Sequence, residues 1–266
     1  MKDGFTIARG IGRPSDPFAL ARELLGVEPL LVERQPIRPV DGGRSFASTR
    51  IDTPLHTDSQ LVLGVPAAVQ ILVCTKPAAR GGESVLVDGA RLVDRLWGKP
   101  LGDALFDVDR LQRFYFGDVR GPTVALRGGH LAWTLAPGAQ DEIGAALLAE
   151  LTREEPILFA LGEGDALVAS NHRMLHGRRP FEGERELVRL LVWLEEPLPA
   201  DARHVARAKV VAPALPPEPV RRLRAVLGIL RGVPPAKAAS EARVDEATLY
   251  AWRDAFFGGG IYALAR

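Results

Sequence analysis

The sequence of 266 residues predicts a mainly β protein with helices, an α+β fold with a helical C-terminal appendage, on three observations. Short runs rich in β-branched residues, "AVQILVCT", "SVLVD", "DALVAS" and "ELVRLLVWL", recur between glycine- and proline-bearing breaks, as strands do. "TVALRGGHLAWTL" is two alternating runs around Gly128 and Gly129, a hairpin whose glycines are free to take positive φ. Beyond about residue 200 a stretch rich in proline and alanine gives way to purely helical periodicity. We therefore expect a main domain over residues 1–200, a linker over 201–215 and a helical domain over 216–266.

In chain order, "DPFALARELL" reads as a helix with Asp16 as its cap and Pro17 in its first turn, followed by extended, proline-interrupted chain. "AVQILVCT" and "SVLVD" flank "ARGGES", whose glycines turn the chain. "GARLVDRLW" has helical spacing, and "AQDEIGAALLAELTRE" is an amphipathic helix with Ile143, Leu147, Leu148 and Leu151 on one face. "PILFAL" returns to strand. The polar segment "NHRMLHGRRPFEGER" reads as a connection between "DALVAS" and "ELVRLLVWL".

Composition sets the outer limits. Hydrophobic residues make up 47% and charged residues 25%, the range of a soluble globular protein. A net charge of +1 offers no electrostatic reason for a nucleic-acid or membrane partner. Cys74, the single cysteine, lies in an apolar run, which excludes an internal disulfide framework and fits a reducing compartment. The opening "MKDGFTIARG" lacks the apolar stretch of a secretory signal, and no run approaches the roughly 18–20 apolar residues of a membrane span. A cytoplasmic location is expected.

"PLHTDSQ" carries the first chemical signal. On a strand, side chains two apart share a face, so His56 and Asp58 point the same way. Such a pair is half a metal site, and taken alone it is more often a surface histidine beside an acid. The third ligand is expected from His176, a loop-proximal imidazole between two strands. Two histidines and one carboxylate on one face of a metal leave open positions, as in non-heme Fe(II) oxygenases. Arg189 interrupts a strand that is apolar on both faces, so its guanidinium needs an anionic partner. A dicarboxylate cosubstrate supplies one; Glu184, Glu186 or Glu195 is the structural alternative.

Together "PLHTDS", "GGESVLVDG" and "NHRMLHGRRPF" followed by Arg189 resemble the taurine dioxygenase and clavaminate synthase (TauD/TfdA) superfamily of Fe(II)/2-oxoglutarate oxygenases over roughly residues 40–200. "LHGRRPF" is similar to γ-butyrobetaine hydroxylase-like members. The resemblance implies a double-stranded β-helix (jelly roll) core. It places His56, Asp58 and His176 on the iron-ligand motif, and thus as the catalytic centre. It places Arg189 on the 2-oxoglutarate arginine and Ser84 on the hydroxyl that serves the same cosubstrate. The implied cofactors are Fe(II), 2-oxoglutarate and O2. The implied reaction couples oxidative decarboxylation of 2-oxoglutarate, to succinate and CO2, with C–H oxidation of a small molecule, hydroxylation being the expected outcome.

Further candidates are weaker. Gln70, polar within an apolar strand, is expected to face the cosubstrate pocket. Arg178 is either a contact to a carboxylate beside the site or one of a solvated arginine pair with Arg179. Asn171, His172 and Arg173 are expected to shape a turn or face solvent. Ser84 also has a bland reading, the end of a turn.

The C-terminal region has the outline of three helices, with Val220, Leu223, Leu227 and Leu230 lining the first and Leu249, Trp252 and Phe256 the third. It resembles a transposase-type helix-turn-helix. "VDEATLYAWRD" puts Asp245 and Glu246 at the end that would approach phosphates, where negative charge repels. Eight basic and five acidic residues from Pro216 onward leave only +3. Protein contact, such as self-association, docking or recognition of a substrate carrier, is expected over DNA binding. The competing function is a 2-oxoglutarate-sensing or DNA-associated regulator that acts through these helices.

Overall fold

The computed structural model describes residues 3–264 apart from 14 and 215. It divides into two compact units, Met1–Pro213 and Ala214–Arg266. The first contains β1 (Phe5–Ala8), α1 (Pro17–Leu25), β2 (Leu31–Ile37), β3 (Thr53–His56), β4 (Val69–Lys76), β5 (Arg80–Gly81), β6 (Ser84–Asp88), α2 (Gly89–Leu96) and α3 (Pro100–Asp107). It continues with β7 (Arg110–Phe114), β8 (Gly117–Gly121), β9 (Val124–Arg127), β10 (His130–Trp133), α4 (Glu142–Leu151) and β11 (Ile157–Phe159). It closes with β12 (Ala166–Ser170), β13 (Met174–Arg178), β14 (Phe181–Glu182), β15 (Glu186–Trp193), α5 (Ala202–Arg207) and β16 (Val210–Ala212).

Two antiparallel sheets build the frame, one in the order β1-β12-β4-β15-β2 and one in the order β11-β6-β13-β3. Strand periodicity sorts their residues into layers. Inward-facing Leu167, Ala169, Cys74, Leu187, Leu86 and Met174 form a core shared by both sheets. The outer face of the larger sheet, with Ile71, Val73, Val188, Leu190 and Val192, is covered by Ala21 and its neighbours on α1. The outer face of the smaller sheet, with Val87 and Leu175, packs on α2, α3 and α4 through Leu92, Leu96, Leu105, Phe106 and Leu147. Burial on both faces explains why "ELVRLLVWL" is apolar on both faces apart from Glu186 and Arg189.

Local chemistry sets the element boundaries. Asp16 Oδ1 accepts from the Phe18 and Ala19 amides and Gly26 ends α1 in the left-handed region. Asp88 and Asp141 cap α2 and α4 in the same way. Gly128 and Gly129, at φ 58° and 82°, turn the β9–β10 hairpin. Pro36 is tolerated in β2 because β2 is an edge strand.

Three placements differ from the sequence-based expectation. "MLHGR", expected within a connection, is strand β13, paired on both sides with β6 and β3. Its inward-facing residues Met174, His176 and Arg178 alternate correctly for a strand, but Met174 joins the apolar core while His176 and Arg178 line a polar cavity, which masks the usual signal. Asn171, His172 and Arg173 form the β12–β13 turn, one of the two expected roles, but Asn171 and His172 are buried within it and Arg173 is paired with Asp88. The proline- and alanine-rich stretch after residue 200 contains α5 and β16, the latter paired in parallel with β9. No helix is long and apolar enough to cross a membrane among the described residues.

The second unit consists of α6 (Pro217–Leu230), α7 (Pro235–Glu241) and α8 (Glu246–Leu264). Ala225, Ala238, Ala239, Ala242 and Leu249 form its core, with Ile229, Val233, Val244 and Trp252 against it. Leu249 and Trp252 face inward as their spacing predicts. Leu230 and Phe256 are exposed instead, because the small residues of α6 and α7 let the helices approach along a different stripe.

Candidate active site

The same two-residue period that sorts the apolar layers puts polar side chains into the gap between the sheets. His56 ends β3 directly opposite His176 on β13, their ring centroids 4.4 Å apart. Asp58 lies two residues past the end of β3 and returns to the same point. One ligand atom from each of His56, Asp58 and His176 lies within 4.8 Å of the others. His176 Nε2 is 3.6 Å from Asp58 Oδ2.

Hydrogen bonds prepare these atoms as lone-pair donors. His56 Nδ1 lies 2.9 Å from the Pro54 carbonyl, so its N–H donates there and Nε2 is left with its lone pair. Burial lowers the pKa of His56 and pushes that of His176 down to about 3, so both rings are neutral. Burial pushes the Asp58 carboxyl up, but Arg189, His176, His56 and Gln70 outweigh it and hold it below the usual carboxylate range. Two neutral imidazoles and one ionised carboxylate are the donor set that suits Fe(II). Gln70 Nε2 donates to both Asp58 Oδ2 and His176 Nε2, and its Oε1 is buried without a partner among the described residues. The site thus presents acceptor atoms converging on one point beside an unused carbonyl oxygen, and the residues fit a divalent cation.

A cavity of about 80 Å³ adjoins His56 and His176, lined by Gln70, Ser84, Arg178, Arg185 and Arg189 among others. Arg189 reaches inward as expected. Its Nη1 donates to Asp58 Oδ1 at 2.7 Å and its Nε to Gln35 Oε1 at 3.1 Å; none of Glu184, Glu186 and Glu195 is its ion-pair partner. Arg178 is buried rather than solvated. Its Nη2 donates to the carbonyls of Thr49, at 3.0 Å, and of Ile51, and its Nε is buried without a partner among the described residues. Burial and the neighbouring Arg185 lower its pKa to about 10. Ser84 faces Arg178 across the β6–β13 register.

Arg185 is the residue that the sequence did not single out. It is 7% exposed and forms no ion pair among the described residues. Burial lowers its pKa, and it shares the Phe181 ring with Arg178, the guanidinium carbons lying 5.8 and 4.8 Å from the ring centroid. Its position just before β15, in the same alternation as Leu187 and Arg189, was the available signal.

A second group of compatible donors, Asp94, Asp201 and His204, is a weaker match. The Arg203 guanidinium lies 3.0 Å from Asp94 and 3.3 Å from Asp201 and already pairs with both.

Comparison with known proteins agrees with this geometry. Residues 2–100 match the family model described as "Taurine catabolism dioxygenase TauD, TfdA family". No curated protein sequence matches the chain. Among solved structures, asparagine oxygenase in complex with Fe(II), 2S,3S-3-hydroxyasparagine and succinate matches with TM-score 0.54 and 18% identity, over 72% of this chain and 74% of that one. A second asparagine oxygenase structure matches at TM-score 0.53 and 18% identity, over 72% and 73%. The PvcB protein from Pseudomonas aeruginosa matches at TM-score 0.50 and 18% identity, over 71% and 75%. At these identities the structures establish the shared fold, an α+β architecture around a double-stranded β-helix. The chain is thus similar to the TauD/TfdA family of dioxygenases over residues 2–100, shares its fold with the structures above, and brings His56, Asp58 and His176 together in that frame.

Proposed function

We propose that His56, Asp58 and His176 hold Fe(II), that the cavity beside them takes 2-oxoglutarate, and that the reaction is hydroxylation of a small molecule, free or carried on a carrier. The observation that carries this reading is the meeting of two neutral imidazoles and an ionised carboxylate within 4.8 Å at the mouth of a cavity lined by arginines. When bound, Fe(II) supplies the O2 chemistry that couples decarboxylation of 2-oxoglutarate to oxidation of a C–H bond.

The chain's own residues bind and orient. Arg178 and Arg185 are two like charges close together and largely desolvated, an arrangement that an anion between them relieves. We assign the distal carboxylate of 2-oxoglutarate to this end of the cavity, with Ser84 donating a further hydrogen bond. Arg189, which the family resemblance assigns to 2-oxoglutarate, lines the same cavity and stays a candidate contact for it, while it and Gln70 also bond to Asp58 and orient it. Burial of the whole array keeps water from the bound cosubstrate.

Stoichiometric succinate formation from 2-oxoglutarate with Fe(II) and ascorbate, abolished by His56→Ala, is the expected result. Wild-type protein that takes up Fe(II) but forms no succinate under any candidate substrate would point to the regulatory alternative.

For the C-terminal unit we propose a helix-turn-helix-like module used for protein contact, joined to the oxygenase domain near residues 201–215. Asp245 Oδ1 accepts from the Thr248 amide at 2.6 Å, a helix-capping role for the acid that would otherwise meet DNA. The full chain is expected to show no salt-dependent binding to duplex DNA.

A further inference from the structure

Asn171 occupies the turn between β12 and β13 and is completely buried. A turn-forming asparagine bonds to its own chain neighbours about two residues on. The Asn171 side chain does something else. Its Oδ1 accepts from the Asp58 amide at 2.9 Å, and its Nδ2 donates to the Asp58 carbonyl at 2.7 Å and to the Ala67 carbonyl at 2.9 Å, partners 113 and 104 positions away. Its own amide donates to Ala68 O at 3.0 Å.

Asp58 needs such a partner because it lies beyond the end of β3, where no ladder holds its peptide groups. Asn171 closes the Asp58 N–H and C=O together, as a neighbouring strand would. The preceding residue is tied on its other flank. Thr57 N–H donates to Leu135 O at 3.0 Å, and Thr57 Oγ1 accepts from the Leu135 amide at 3.0 Å. Those bonds serve Thr57; among the described residues the aspartate's own backbone is held by Asn171. Five residues further along the chain comes His176. A single segment therefore delivers one ligand and aligns another.

We infer that Asn171 is a positioning residue for the metal carboxylate: it sets where Asp58 stands relative to His176, and through that the affinity for a divalent ion. This rests on the reading of His56, Asp58 and His176 as the metal site. Outer contacts that orient metal ligands typically contribute about 10- to 100-fold in affinity. Asn171→Asp is the informative change, since it keeps the acceptor and the shape but turns an oxygen toward two carbonyls. Asn171→Ala removes all three bonds.

The experiment is a Co(II) titration of the metal-free full chain, followed by the visible absorption of the bound ion, with thermal unfolding measured on the same samples. Wild type is expected to bind one Co(II) and His56→Ala to lose it; wild type that binds none sinks the metal reading and this inference with it. Given binding, Asn171→Asp and Asn171→Ala are expected to weaken Co(II) affinity at least tenfold and to change the absorption band. Leu147→Ala, a cavity variant in the fully buried core of α4, is expected to lower the Tm while holding the Kd within twofold. Either Asn171 variant binding as wild type does overturns the inference. So does a loss of affinity in Leu147→Ala that tracks its loss of Tm, because metal binding would then report stability alone.

Discussion

Arg189 Nη1 lies 2.7 Å from Asp58 Oδ1, so the carboxylate of the candidate metal site carries a guanidinium as its counter-charge. Both side chains are largely buried, and removing one partner of such a pair typically costs about 3–5 kcal/mol. Arg189→Gln is expected to destabilise the metal-free protein by roughly that amount. A divalent ion on Asp58 replaces the lost positive charge, so saturating Co(II) should restore most of the deficit. Thermal unfolding with and without Co(II) checks this; an equal deficit in both conditions would show that ion and guanidinium do not share Asp58.

Arg185 lines the cavity and has no carboxylate partner among the described residues. If its partner is the distal carboxylate of 2-oxoglutarate, Arg185→Gln removes a charge-assisted hydrogen bond of about 1.5–3 kcal/mol. The KM for 2-oxoglutarate is then expected to rise by about tenfold or more, with a smaller change in kcat. Steady-state succinate formation measures it, and an unchanged KM would move the carboxylate elsewhere.

His172 is buried with Nε2 3.0 Å from the Pro66 carbonyl and its ring 5.2 Å from that of His130. Burial, followed by His130, pushes its pKa down to about 3. A histidine depressed in the folded state takes up a proton on unfolding between that value and its unfolded value near 6.5. Its contribution is constant above about pH 6.5, and stability falls as pH drops below it, by up to about 1.4 kcal/mol per pH unit. Urea unfolding of wild type and His172→Gln at pH 7 and pH 5 should show a shallower pH dependence in the variant. Parallel curves would mean that the ring is protonated in the folded protein.

Gly128 has φ 58°, and a Cβ there would meet Val65 Cγ1 at 2.4 Å. Gly128→Ala meets both the left-handed backbone and the contact, so a loss of about 1–3 kcal/mol is expected. Chemical denaturation measures it. Gly138, also at positive φ but with open space around its Cβ position, is the matched control, with the smaller backbone cost alone.

Several features of this protein are short-range and were therefore legible in the linear sequence. Asp16 caps a helix within three residues and Gly128 and Gly129 turn a hairpin within four, while the His56–Asp58 spacing marked the pair although Asp58 lies past the end of β3. The order of the motifs carried the family resemblance, which the match over residues 2–100 supports. What long-range packing decided was less visible. "MLHGR" is a strand only because β6 and β3 flank it, and its polar face is stable only because the opposing sheet supplies Gln70 and Arg189. The burial of Arg178 and Arg185 depends on Phe181 and on the Thr49 and Ile51 carbonyls, all brought in by chain closure. The role of Asn171 depends on a partner 113 positions away. Backbone propensity and turn chemistry act over a few residues and can be read in order along the chain, whereas desolvation and the pairing of buried charges exist only after the two sheets have closed on each other.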